Sequence, residues 1–454
     1  MTENKMGTMP VRKLLFEMSI PMMISMLVQA LYNIVDSMFV ARISEDAFTA
    51  VTLAFPIQSL MISLAVGTGV GINAVLSRSL GEKNFGNANK SAMNGIFLAI
   101  ISTIAFMIFG VFGSKAFFRA QTDILPIVEM GHNYLFVILV GAVSLFAQVT
   151  LERLLISTGK TVYSMITQLT GAIVNVILDP ILIFGLLGCP AMGVRGAAIA
   201  TVIAGLVGAS LALYFNLTKN REITFSFAGF RPDWQIIKKI YVVGIPSILS
   251  QSLMSITQFL MNGIILKFST SAVAVLGSLM RINGFVFMPV FGLNNAMIPI
   301  ISYNYGAKKK ERMMETLKTG LIAATGILFV GFAIYEIFPN SLLYIFSATP
   351  EMLAIGGSAF RIMGIAFLLF SVNVILPSVF QALGHGSKTI MISLVQRLFA
   401  LIPVALILAR FGNVNYVWWA YVAAEACAFG LCIYVWRGVY EKEIKTLVDN
   451  TAET

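Results

Sequence analysis

The sequence predicts an all-α integral membrane protein of twelve transmembrane helices, in two six-helix lobes related by a pseudo-two-fold axis along the membrane normal. Three observations predict it. First, of 454 residues 58% are hydrophobic and only 11% charged, with a mean hydropathy of +0.86. Soluble chains carry about 25% charged residues, and a single core stops growing near ~250–300 residues, so lipid must serve as the apolar phase. Second, the apolar residues gather into twelve stretches, each of about 18 residues or more. Third, the chain repeats itself at an offset of 225 residues. Together these exclude a disulfide-rich secreted scaffold, a disordered chain and an ordinary cytosolic enzyme; no enzymatic activity is expected.

The spans lie near 14–40, 47–76, 92–113, 132–156, 162–187, 195–217, 240–267, 272–302, 318–338, 353–382, 389–410 and 416–436. The first is preceded by Arg12 and Lys13 and lacks a small-residue cleavage site, so it reads as a retained helix and not a signal peptide. An even number of spans puts both termini on one side. Twenty-two Lys and Arg fall on that side, including Arg153, and six on the other, namely Arg42, Lys115, Arg119, Arg195, Lys267 and Arg410. Three more, Arg281, Arg361 and Arg397, fall inside spans. The positive-inside rule then makes both termini cytoplasmic in a multi-pass protein of the cell (plasma or inner) membrane. The net charge of +10 is thereby a topology signal, and no nucleic-acid partner is expected.

At the 225 offset Ile20-Pro21 meets Ile245-Pro246, Gly67 meets Gly292, Ser77 meets Ser302, Lys83 meets Lys308, and Gly159 meets Gly384. Each copy holds six spans, so both enter from the same side, which sets the direction of the axis. The longest polar stretch separates the copies. The expected organisation is an N-terminal lobe (1–218), a cytoplasmic linker (219–239), a C-terminal lobe (240–437) and a cytoplasmic tail (438–454). Two such lobes imply a cavity between them, opened to each side in turn by rocking.

Charges inside spans point to function. An ionised carboxylate at membrane depth costs about 2.5–3.5 kcal/mol on insertion scales, and Asp36 and Asp179 are the clearest cases. Asp36 lies six residues before Arg42 and Asp179 six before Gly185, where the fifth span loses regularity, and Thr201 lies six residues after Arg195 in the sixth. Tyr134 lies near the outer end of the fourth, and Asn33 and Asn175 sit one turn cytoplasmic of the aspartates. Pro180 follows Asp179 and removes a donor to the Val176 carbonyl, so a kink beside a titratable group is expected. The second copy lacks this chemistry: Asp36 becomes Met261, Asn175 becomes Ala400 and Asp179 becomes Val404. Glu336 and Glu425 are secondary candidates, and the three arginines inside spans, Arg281, Arg361 and Arg397, are expected to pair with them or with backbone carbonyls in a structural role. For a substrate cavity, Gln29 with Asn33 and Gln258 with Asn262 are favoured, since each pair shares a helix face. The three cysteines and two histidines show no metal spacing. GHGSKT, at 384–389, lacks the spacing of a phosphate loop, so direct ATP drive is not expected.

LYNIVDSMFVARIS in the first span, NVILDPILIFG in the fifth and RINGFVFMPVFGLNNAMIPIISYNYGAKK in the eighth resemble the MATE family of multidrug and toxic-compound extrusion proteins, the fifth-span motif being especially similar to its MepA-like bacterial subgroup. The similarity covers nearly the whole chain. It implies secondary-active export of small cationic amphipathic drugs in exchange for H+ or Na+, with no other cofactor. It also implies an ion-coupling network in the first lobe, matched here by Asp36, Asn175, Asp179, Thr201 and Tyr134, with Na+ held at Asp36 and Asp179 if sodium is the coupling ion. Relatives with acids in the seventh and tenth helices are matched only by Gln258 and Asn373. A monomer embedded in the bilayer is expected. The rival readings are a flippase for lipid-linked precursors, hinted at only by Arg281, and a passive channel.

Overall fold

The structure, a computed structural model, describes residues 4–226, 229–346 and 348–447. Among them there are helices and no strands. In lipid a backbone amide has no water to bond, so each span satisfies its own amides by forming a helix. The helices are α1 (Lys5–Thr8), α2 (Val11–Ala41), α3 (Glu45–Gly81), α4 (Phe85–Arg119), α5 (Leu125–Val140), α6 (Val143–Ser157), α7 (Thr161–Phe184) and α8 (Val194–Lys219). They continue as α9 (Trp234–Leu266), α10 (Thr270–Gly306), α11 (Lys310–Ile337), α12 (Pro339–Tyr344), α13 (Pro350–Ala382), α14 (Gly386–Leu394), α15 (Ile402–Ala409) and α16 (Val414–Val439). Among the described residues eleven helices are long and apolar enough to cross a membrane, or twelve if one bent pair is a single span.

The bent pair falls on the fourth span, expected near 132–156. α5 and α6 meet at 42°. The break falls at Gly141-Ala142, where Gly141 faces Val202 at a distance too short for a side chain. The eleventh span is also irregular. Between α14 and α15, Val395–Leu401 forms a π-helical segment. Pro403 follows it and cannot donate a hydrogen bond back along the helix.

The repeat is visible in local detail. Ser44 caps α3 by accepting from the Ala47 amide, and Ser269 caps α10 by accepting from the Ala272 amide. Lys83 and Lys308 each take φ 56° in the turn that follows those helices. Ser77 donates to the Ser157 carbonyl at 2.9 Å, and Ser302 donates to the Ala382 carbonyl at 3.0 Å. All of these pairs are 225 residues apart.

The chain forms two compact units, Ile24–Gly244 and Met1–Met23 with Ile245–Thr454. The division differs from a cut at the linker: it falls inside α2 and α9, beside Pro21 and Pro246, which are equivalent in the repeat. The first part of α2 thus belongs with the later helices. There Gly292 of α10 admits the α2 backbone so closely that a Cβ would lie 2.6 Å from Met23. Lipid tails are as apolar as leucine, so small residues that allow such approach carry helix association in a membrane. In Ile24–Gly244, Phe118, Tyr134, Leu135, Leu139 and Phe146 form the centre of a packed apolar cluster. α7 and α8 pack against each other, as do α3 and α5, and these helices position the polar groups described next.

Candidate functional site: a carboxyl pair in the first unit

Asp36 lies in the last two turns of α2, and Asp179 near the end of α7 just before Pro180. Their carboxyl groups come within hydrogen-bonding range of each other. Asp179 is fully buried. Asn175, one turn earlier on α7 and 2% exposed, donates to Asp179 Oδ1 at 3.4 Å and reaches Thr201 Oγ1 of α8 at 3.5 Å. Tyr134 of α5, 4% exposed, faces the pair and accepts from Gln58 of α3 at 3.0 Å. All five expected coupling residues therefore meet in one place.

Tyr32 joins them, one turn before Asp36 on the same face, and faces both aspartates. Neither Tyr32 nor Gln58 was expected. The i, i+4 spacing of Tyr32 and Asp36 was the available signal for the first, while Gln58 carried none.

Asp36 Oδ1, Asp179 Oδ2 and Asn175 Oδ1 are buried and accept no hydrogen bond among the described residues. Two negative charges about 4 Å apart repel by roughly 4 kcal/mol at an effective dielectric of 20. A proton or a small cation beside such a pair would relieve that repulsion. The donor set is oxygen only, which suits H+ or a hard cation such as Na+ and not a soft transition metal. Among the described residues no cluster of three or more His, Cys, Asp or Glu could hold a metal.

Another buried acid was missed in the same unit. Glu152 of α6 is 5% exposed and accepts from Gln148 at 3.0 Å, Thr167 at 2.9 Å and Gln168 at 3.0 Å. Its neighbour Arg153 is only 6% exposed. Arg153 is thus no cytoplasmic loop charge, and removing it leaves twenty-one against six, with the same sign.

In the other unit, Asn373 of α13 donates to Glu425 of α16 at 2.6 Å, and Gln396 of the π segment donates to the same carboxylate at 2.8 Å. Arg397 lies close to it. Gln148 and Asn373 are equivalent in the repeat, and each holds a glutamate of its own unit. Arg361 Nε stands 4.0 Å from Glu336. Arg281 is exposed and has no ion-pair partner among the described residues, contrary to expectation. Gln29 and Asn33 are exposed on α2, and no described hydrogen bond joins them to the carboxyl pair. Gln258 donates to Asn262 at 3.1 Å along α9.

The MatE family profile matches residues 21–181 and again 246–407. The chain belongs to the MATE family. The two matches begin 225 residues apart, the offset of the repeat. The multidrug export protein MepA of Staphylococcus haemolyticus (strain JCSC1435) is 24% identical over 442 residues, covering 97% of this chain and 96% of that protein. MepA of Staphylococcus aureus (strain MSSA476) is 26% identical over 450 residues, covering 97% of both. Among solved structures, an outward-facing multidrug resistance MATE family transporter of the MOP superfamily is similar at a TM-score of 0.92 and 26% identity, over 98% of this chain and 99% of that one. A MOP superfamily transporter from Pyrococcus furiosus, described as having a binding pocket of reversed polarity, gives 0.90 and 26% over 98% and 99%. The chain is accordingly a multi-pass membrane protein of a family of multidrug efflux transporters.

Proposed function

We propose that the protein is a secondary-active antiporter that exports cationic amphipathic compounds in exchange for H+ (or Na+) by alternating access. The convergence of Asp36 and Asp179 carries this reading. When both carboxyls are ionised, their repulsion favours a cation or proton beside them. When the pair is protonated, it is neutral and can be buried without a partner charge. Protons arriving from outside neutralise the pair and release the cargo, and proton loss to the cytoplasm prepares it to reload. Asn175 and Thr201 orient Asp179, and Tyr134 closes the cluster against the apolar core. Pro180 leaves the Val176 carbonyl without its helical donor, so the end of α7 bends at low cost as the charge changes.

The test is uphill dye movement in reconstituted vesicles under an imposed pH gradient. Wild-type protein drives it, whereas Asp36→Asn and Asp179→Asn do not, at unchanged folding. Uphill movement at the wild-type rate in both variants would remove the carboxyl pair from the coupling step. Lipid scrambling without dye transport would identify a flippase, and gradient-insensitive dye flux a channel.

A further inference from the structure

Away from the carboxyl pair, the unit Met1–Met23 with Ile245–Thr454 has a groove of about 660 Å³ between the first two turns of α2 and residues 314–323 of α11. Its two walls are built alike. On α2, Arg12 is followed one turn deeper by Phe16; on α11, Lys318 is followed one turn deeper by Ile322. Four residues span about 6 Å along a helix, so on both walls a cation stands one turn above an apolar side chain. Phe16 is 46% exposed and Ile322 64%. Thr319 adds a hydroxyl at the mouth, and Glu315 is the single acid lining it. Among the described residues neither Arg12 nor Lys318 has an ion-pair partner, whereas nearby Glu17 is taken by Lys5 at 2.7 Å.

Arg12 and Lys318 stand at the starts of the apolar stretches near 14–40 and 318–338, and the start of a span meets the lipid headgroups. A phosphodiester between them is matched in charge, and an acyl chain passing Phe16 and Ile322 is matched in polarity. No soluble anion uses both halves of this groove. The geometry points to a binding site for one anionic phospholipid, its headgroup between Arg12 and Lys318 and an acyl chain along Phe16 and Ile322. Only the leaflet concerned, the cytoplasmic one, rests on the orientation expected from the Lys and Arg count. Anionic lipids and juxtamembrane basic residues meet in that leaflet. A lipid seated there braces the part of α2 that precedes Pro21, at the root of the helix that carries Asp36.

The experiment uses full-length protein, purified and delipidated in detergent and titrated by native mass spectrometry. The probes are dioleoylphosphatidylglycerol, dioleoylphosphatidylcholine and inorganic phosphate. No gradient or drug is present, so the outcome is independent of the transport reading. Wild-type protein binds the first phosphatidylglycerol about tenfold or more tighter than phosphatidylcholine. Arg12→Gln with Lys318→Gln abolishes that preference. Ile322→Trp fills the groove and weakens both lipids, and Lys13→Gln, outside the groove, changes neither. The inference is overturned if the double variant keeps the preference, if Lys13→Gln removes it equally, or if phosphate alone displaces bound lipid. Circular dichroism of each variant confirms that the helices are retained.

Discussion

Replacing Glu152 by leucine removes the acceptor for three side chains at once. Thr167 has an alternative, because its hydroxyl already lies 2.7 Å from the Ser164 carbonyl. Gln148 and Gln168 have less: Gln168 reaches the Ser164 hydroxyl only at 3.4 Å, and the Gln148 amide donates to the carboxylate at 3.0 Å. An unsatisfied buried donor costs roughly 1–3 kcal/mol, so Glu152→Leu should cost about 2–5 kcal/mol. For a unit of this size each kcal/mol lowers the melting temperature by about 2–4 °C, giving a fall of roughly 4–20 °C. Glu152→Gln keeps the shape and one acceptor oxygen, and should lose only about 2–4 °C by the same scale. Near-UV circular dichroism of the purified protein during heating measures both. A leucine variant that melts within about 2 °C of wild type would refute the assignment of Glu152 as the acceptor that holds α6 to α7.

Two further outcomes follow from the same geometry. Ser77→Ala removes the hydroxyl bond to the Ser157 carbonyl and a longer one to Asn73, and Ser302→Ala the bond to the Ala382 carbonyl, each change worth about 1 kcal/mol, and the double variant should show the sum of the two melting shifts because the sites share no partner. At the start of α9, outside the membrane span, the Asp233 carboxyl is held below its usual range by the Ile236 backbone amide, with Lys90 and Gln235 adding to it. The folded value is the lower one, so the stabilisation is complete above the unfolded value of about 4 and is lost as pH falls through the folded value. Hydrogen exchange in the first turn of α9 should therefore quicken on acidification in wild-type protein, relative to intrinsic exchange, and show no such change in Asp233→Asn.

Much of this molecule is written locally. The spans follow from the cost of leaving amides unbonded in lipid, and the repeat from residues that recur at a constant offset, such as Ser77 with Ser302 and Lys83 with Lys308. Asp36 and Asp179 were legible because a carboxylate in a span is expensive enough to require a reason. Their meeting was not legible, since it depends on which faces of α2 and α7 turn inward. Glu152 escaped because it sits beside Arg153 near the end of a predicted span, where a charged pair looks solvated; burial shows otherwise. Asn373 was read as an amide where relatives carry an acid. Its contact with Glu425 joins two helices 52 residues apart in sequence, and no periodicity announces such a contact. The division at Pro21 and Pro246 was hidden for the same reason, because a helix gives no local sign that its two ends pack in different units.

The most direct measurement is proton release on drug binding. Purified protein in weakly buffered detergent solution receives a cationic dye while the pH is followed, with and without sodium. Wild-type protein should acidify the medium as dye binds, and neither Asp36→Asn nor Asp179→Asn should do so, although both still fold. Release of the wild-type size from both variants would contradict competition between proton and cargo at this carboxyl pair.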